Sequence, residues 1–211
     1  MASKRVGLEE AVKAALERRD ASRRDDASVL WGRIECPLAE LIEVDRTHAS
    51  AVEAALGASL QALIVDRVDP DRDALALHEL AGRVTFLSRR AYAGATPGLA
   101  NARARFEGLR SLESVVRCAE SDRALVEGLL GRTYLVRDLD AAMMVAASGV
   151  GGAGARFVTR DGVVLGFDGR VVAGPLGDPA EGGGLLERAS ELHDLEHETA
   201  QLDGAIGRNR E

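Results

Sequence analysis

The sequence predicts an α/β (α+β) fold made of two pseudo-repeated halves with a helix at either end, and three observations lead there. Val52-Glu53-Ala54-Ala55-Leu56-Gly57 returns 74 residues later as Val126-Glu127-Gly128-Leu129-Leu130-Gly131. Each copy leads into an apolar run that ends in Asp and then into a strand opened by glycine. These strands are Gly82-Arg83-Val84-Thr85-Phe86 in one copy and Gly154-Ala155-Arg156-Phe157-Val158-Thr159 in the other. Similarity at a fixed spacing marks repeated units. The two ends lack the repeat and carry helical periodicity instead.

At the N-terminus Leu8, Ala11, Val12 and Ala15 are spaced for one helix face, with Arg18, Arg19, Arg23 and Arg24 beyond them. The first half then reads as a strand at Leu41–Val44, a helix at Thr47–Leu56, a strand at Leu60–Val65, a helix at Pro70–Leu80 and a strand at Arg83–Leu87. Ser88–Gly98, rich in Gly and Ala, connects to a helix near Leu99–Glu107 and divides the halves. The second half repeats the order with an apolar stretch Leu112–Cys118, helix Ser121–Leu130, strand Thr133–Val136, helix Leu139–Ala147 and strand Arg156–Thr159. Two more strands, Val163–Leu165 and Arg170–Val172, extend this sheet as a meander through turns at Asp161-Gly162 and Asp168-Gly169. The C-terminal segment keeps a heptad, with Leu185, Leu192, Thr199 and Ile206 at one position and Leu195 and Leu202 at the other. Such a seam needs a partner helix. Leu8, Val12 and Ala15 offer one in antiparallel pairing, and two helices packed separately on the domain are the alternative.

The 211 residues, 46% of them hydrophobic, suit one or two domains with a buried core. No apolar run approaches the ~20 residues that span a bilayer, and the first residues lack a secretory pattern, so the expected compartment is the cytoplasm. Cys36 and Cys118 lack ligand spacing, which argues against a metal site or a disulfide framework. The net charge of −7 argues against strong polyanion binding by the whole chain. Charge is unevenly spread. Residues 1–27 carry a net +1, residues 181–211 a net −5, and residues 83–110 a net +5 from Arg83, Arg89, Arg90, Arg103, Arg105 and Arg110 against Glu107. These arginines suit either phosphate contact, which needs cations without a base code, or a solvated surface.

Gly149, Gly151 and Gly154 satisfy G-x-G-x-x-G, but a dinucleotide loop follows a strand and opens a helix. Here a helix precedes and a strand follows, so a flexible connection is favoured over a nucleotide site. A small nucleotide- or ligand-binding α/β enzyme using Gly149–Gly154 is the alternative function. His193-Asp194-Leu195-Glu196-His197 matches H-x-x-E-H, yet the heptad places both imidazoles on the solvated side of the helix. The Gly-punctuated edge at Gly166–Gly174 is different: an edge strand offers unpaired amides and carbonyls to a second chain. Two halves with an open edge make a two-fold dimer or ring plausible.

A family resemblance rests on the order of several pieces: Gly32-Arg33-Ile34, then Leu38–Val44, Ala51–Val65, Gly82–Leu87 and Phe157-Val158-Thr159-Arg160-Asp161-Gly162-Val163-Val164. Together they resemble the hinge domain of bacterial SMC (structural maintenance of chromosomes) proteins over residues 28–180, in halves of about 28–108 and 109–180. Residues 1–27 and 181–211 fall where that hinge passes into coiled-coil arms. The hinge of a DNA-repair coiled-coil ATPase is a related possibility. The resemblance implies a non-enzymatic module from the middle of a longer chain that serves chromosome condensation and segregation at the nucleoid. It implies no cofactor in this fragment, with ATP and the kleisin partner engaged at absent heads. It further implies a homodimer through Arg83, Val84, Thr85, Phe86, Leu87, Gly169, Val171, Val172 and Gly174. DNA contact would fall to Arg89, Arg90, Arg103, Arg105 and Arg110, and the arms to Leu8, Val12, Ala15, Leu185, Leu192, Leu195, Leu202 and Ile206. Asp168 and Ala173 stand where many bacterial hinges begin a Gly-Gly pair.

Overall fold

The computed structural model describes residues 8–22, 30–92, 109–149, 151–175 and 184–208. Helices α1 (Glu10–Ser22) and α2 (Leu30–Arg33) lead into the first half. That half comprises β1 (Ile34–Pro37), β2 (Ile42–Val44), α3 (Arg46–Leu56), β3 (Leu63–Val65), α4 (Pro70–His78), β4 (Phe86–Ser88) and the short α5 (Arg89–Tyr92). The second half runs β5 (Arg110–Ser111), β6 (Val116–Cys118), α6 (Arg123–Leu130), β7 (Thr133–Leu135), α7 (Leu139–Ala147), β8 (Arg156–Val158), β9 (Val164–Gly166) and β10 (Val171–Val172). A long helix, α8 (Leu185–Arg208), follows.

The halves share one topology. In the first, β3 pairs antiparallel with β1 and parallel with β4. In the second, β7 pairs antiparallel with β5 and parallel with β8, and β9 and β10 extend the sheet to the order β10-β9-β8-β7-β5. The strand left over in each half, β2 or β6, pairs with its counterpart: Ile42 faces Cys118, Glu43 faces Arg117 and Val44 faces Val116. At the 74-residue offset of the repeat, Ile42 corresponds to Val116 and Val44 to Cys118. The ladder therefore maps onto itself, and the Glu43/Arg117 pair lies on the pseudo-two-fold axis.

The repeated hexapeptides account for the central core. Val52, Leu56, Val126 and Leu130 are buried at one helical spacing on α3 and α6, in a single cluster with Leu38, Ile42, Val44, Ile64, Leu112, Val116 and Val158. Fully burying each such side chain contributes about 1.5–3 kcal/mol, so the shared cluster joins the halves into one body. Smaller clusters lie on either side of it. Tyr134 stacks on Phe157 in the second half, with ring centroids 5.9 Å apart, above Ala142 and Leu165. In the first half Leu30, Trp31, Ile34, Leu63, Val65 and Ala76 pack with Leu8, Val12, Ala15 and Leu16.

That last cluster corrects the reading of α1. Leu8, Val12 and Ala15 were expected on the seam of an arm, but they are buried against the first half, so a boundary at residue 27 cuts through a core. Arg18 over the Trp31 ring at 5.2 Å and Arg19 donating to the Glu35 carbonyl hold the same helix. Two strands are also shorter than expected. Residues Gly57–Gln61 form a 3-10 turn, which delays β3 to Leu63. The strand expected at Arg83–Leu87 is paired only from the Thr85 carbonyl, which accepts the Leu63 amide, because β3 offers only three residues. Residues Leu112–Val115 likewise turn before β6 begins. The helix expected near Leu99–Glu107 lies outside the described residues.

Candidate functional site

Two sheet edges carry the candidate interface. In the first half β4 ends the three-stranded sheet, with Arg83 and Thr85 exposed and Val84, Phe86 and Leu87 half-buried on the cores beneath. In the second half β10 ends the five-stranded sheet, and its two residues are apolar yet open: Val171 is 42% and Val172 56% exposed. Beside them Phe167, at the tip of the β9–β10 hairpin, is also exposed.

The hairpin's shape follows from its residues. Gly166 and Arg170 close the turn through the Gly166 amide and the Arg170 carbonyl at 2.8 Å. Asp168 accepts the Arg170 amide through Oδ1 at 3.1 Å, an Asx turn that a glycine would not supply. Gly169 and Gly174 have φ values of +80° and +133°, where a side chain is strained, and the space around both is open.

The five arginines expected to meet DNA have different fates. Arg89 is used inside the fold: it grips Glu35 through Nε and Nη2 and reaches Asp122 across the halves. That ion pairing removes Arg89 from the residues free to meet phosphate. Arg90 pairs with Asp66 at 3.3 Å but remains mostly exposed. Arg110 donates to Ser114, and the pKa of His48 is lowered by burial and then by the positive charges of Arg110 and Arg160. Arg103 and Arg105 lie outside the described residues.

The glycine loop joins α7 to β8, and Gly149, Gly151, Gly152 and Gly154 all have positive φ. Arg132 donates to the Gly151 and Ala153 carbonyls, which ties the loop to the end of α6. Among the described residues, no group of three or more His, Cys, Asp or Glu is placed to hold a metal ion. Burial, then the nearby Glu40 and Glu35, push the Cys36 thiol up to about 11.

α8 starts in the core and leaves it. Leu186 is buried among the central cluster and Leu185 packs on the first-half cluster, whereas Leu192, Leu195 and Leu202 are 45%, 55% and 58% exposed. The side chains of Ile206 and His197 lie outside the described residues, and His193 is exposed. Between α8 and β2 runs a groove of about 490 Å³, bordered by Val44, Arg117, Ala189, Leu192 and His193. Among the described residues no helix is long and apolar enough to cross a membrane.

Sequence reasoning missed two residues. Arg156 is half-buried and donates through Nη1 to the Ala55 carbonyl at 2.7 Å and through Nη2 to the Leu129 carbonyl at 3.0 Å. Ala55 and Leu129 are equivalent in the repeat, so one guanidinium ties together the C-terminal ends of both core helices. Glu53 is buried and bonds to the start of α8. The conserved spacing of the repeat marked the position of Glu53 but not its partner.

The SMC proteins' flexible hinge domain is the family whose model matches residues 32–146. The chromosome partition protein Smc of Desulfitobacterium hafniense is 33% identical over 165 residues, which cover 76% of this chain and 13% of that protein. The Smc protein of Halothermothrix orenii is 31% identical over 176 residues, covering 81% of this chain and 14% of its length. This chain therefore spans about a seventh of these relatives. The solved asymmetric dimer of the Geobacillus stearothermophilus SMC hinge domain matches with a TM-score of 0.76 and 28% identity, over 96% of this chain and 78% of that one. With the family model covering more than half of its residues, and relatives above 30% identity over three quarters of it, this chain belongs to the SMC hinge domain family.

Proposed function

We propose that this chain is the dimerisation hinge of a chromosome-partition protein, joining two SMC chains through β4 and β10. The observation that carries the reading is a pair of unlike edges on the two halves, one ending at Phe86–Ser88 and one at the exposed Val171–Val172. Soluble proteins avoid leaving an apolar edge strand open, because its free amides and carbonyls template pairing. Under two-fold symmetry the β4 edge of one protomer meets the β10 edge of its partner twice, and both edges are satisfied in a closed pair.

On this reading the exposed Leu192, Leu195 and Leu202 form the stripe of an arm that an antiparallel helix covers. ATP and kleisin belong to the distant heads of the longer chain, which works in the cytoplasm at the nucleoid, and the hinge itself carries out no catalysis. Arg90, Arg110 and Arg160 supply a weak, salt-sensitive DNA contact, supported by the exposure of all three side chains.

Sedimentation over a wide concentration range tests the reading. The native chain should be a dimer, and Val171→Glu with Val172→Glu a folded monomer, because both side chains are exposed in the protomer and their loss leaves its core intact. Gly169→Glu with Gly174→Glu should act in the same direction while also straining the two positive-φ positions. A native chain that stays monomeric at every concentration would sink the proposal.

A further inference from the structure

The N-terminus of α8 is capped from a distance. The first amides of a helix have no acceptor within it, and its start carries partial positive charge. A residue just ahead of the helix usually supplies the acceptor. Here that place is held by Gly184, where a Cβ would fall on the Glu53 carboxylate. Glu53, only 7% exposed on α3, does the capping instead: Oε1 accepts the Leu185 amide at 2.7 Å and Oε2 the Leu186 amide at 3.2 Å. The cap thus comes from the body of the protein, more than a hundred residues back in the chain, and Gly184 is what admits it.

Beyond this turn α8 is released. Leu186 is the last of its leucines in the core, the next ones outward are exposed, and the groove of about 490 Å³ separates Ala189 and Leu192 from Val44 and Arg117 on the β2–β6 side. The base of the helix is fixed while one flank has room to move.

We propose that the Glu53 carboxylate is the pivot of the arm: it fixes the point and direction at which α8 leaves the body, and the groove is the space into which the helix leans. The proposal rests on the hinge reading for the identity of α8 as an arm, but the pivot is a property of the single chain.

The test places nitroxides by Asp140→Cys on the body and Glu198→Cys on α8, with Cys36 and Cys118 changed to alanine. Electron–electron distances are measured in labelled chain diluted with unlabelled chain, so that only intrachain distances count. Glu53→Ala should at least double the width of the distance distribution and cut exchange protection of the Leu185 and Leu186 amides at least tenfold. Protection in β3 and β7 should stay as it was. Gly184→Ala should reproduce this by displacing the carboxylate, and the isosteric Glu53→Gln, which keeps one acceptor, should fall between. Ala189→Trp, which fills the groove, should narrow the distribution of the parent chain. An unchanged width in folded Glu53→Ala or Gly184→Ala overturns the pivot, as does protection lost uniformly across the chain. The sedimentation result does not enter, so failure of the dimer reading and failure of the pivot are separable.

Discussion

The Arg156 guanidinium has carbonyls rather than carboxylates for partners, at 2.7 Å on Ala55 and 3.0 Å on Leu129. Burial alone pushes its pKa below the ordinary arginine value, and it remains a cation facing the negative ends of two helices. A charged donor of this kind contributes about 1.5–3 kcal/mol. Arg156→Met should therefore lower the urea midpoint by the equivalent of about 2 kcal/mol, with the sedimenting mass unaltered. His48 is shifted the same way, with cations adding to the effect of burial. Burial, then Arg110 and Arg160, lower its pKa from 6.5, so the unfolded chain takes up the proton more readily than the folded one. Its contribution to stability is present above pH 6.5 and is lost as pH falls through that value towards the folded pKa. Stability curves against pH should flatten in that window for His48→Gln, and imidazole resonances should show a titration that rises when Arg110 and Arg160 are changed to glutamine. A pKa that stays put in the double variant would remove these guanidiniums as a cause.

At the scale of elements, α4 and α7 show what local sequence determines. Asp69 accepts the Asp71 and Arg72 amides, and Asp138 accepts the Ala141 amide at 2.8 Å, so each half begins its outer helix with an aspartate cap. Asp138→Ala should lower the thermal midpoint, and Asp138→Asn, which keeps a capping oxygen, should lower it less. The expected bounds of α7, Leu139 to Ala147, are those observed, because its cap and the glycines behind it are local signals. α1 was different: Leu8, Val12 and Ala15 make the same pattern whether the surface they meet is a helix or a domain, and periodicity does not name the partner. β1 went unread because four mixed residues around Cys36-Pro37 gain their strand character from pairing with β3. The edges at β4 and β10 were legible from glycine spacing and from family resemblance together. The roles of Arg156 and Glu53 were not, since a bond to a backbone atom leaves no mark on the partner's side chain.

Across the whole molecule, the shared core makes the halves interdependent. Leu112, Val116, Val126 and Leu130 of the second half are buried together with Ile42, Val44, Val52 and Leu56 of the first. Residues 109–175 expressed alone should lack dispersed amide resonances, and the intact chain should unfold once, with Trp31 fluorescence and far-ultraviolet circular dichroism giving one midpoint. Separate midpoints would mean that the halves are independent. The anchoring of the two ends has a mechanical consequence. α1 packs on β1, β3 and α4, and α8 is rooted on α3, so both are fastened to the first half. Tension applied along α8 enters the body at Glu53 and is borne by the first half before the second half feels any load. It reaches the second half through the symmetric β2–β6 ladder, the shared core, the Arg89–Asp122 contact and the Arg156 bonds.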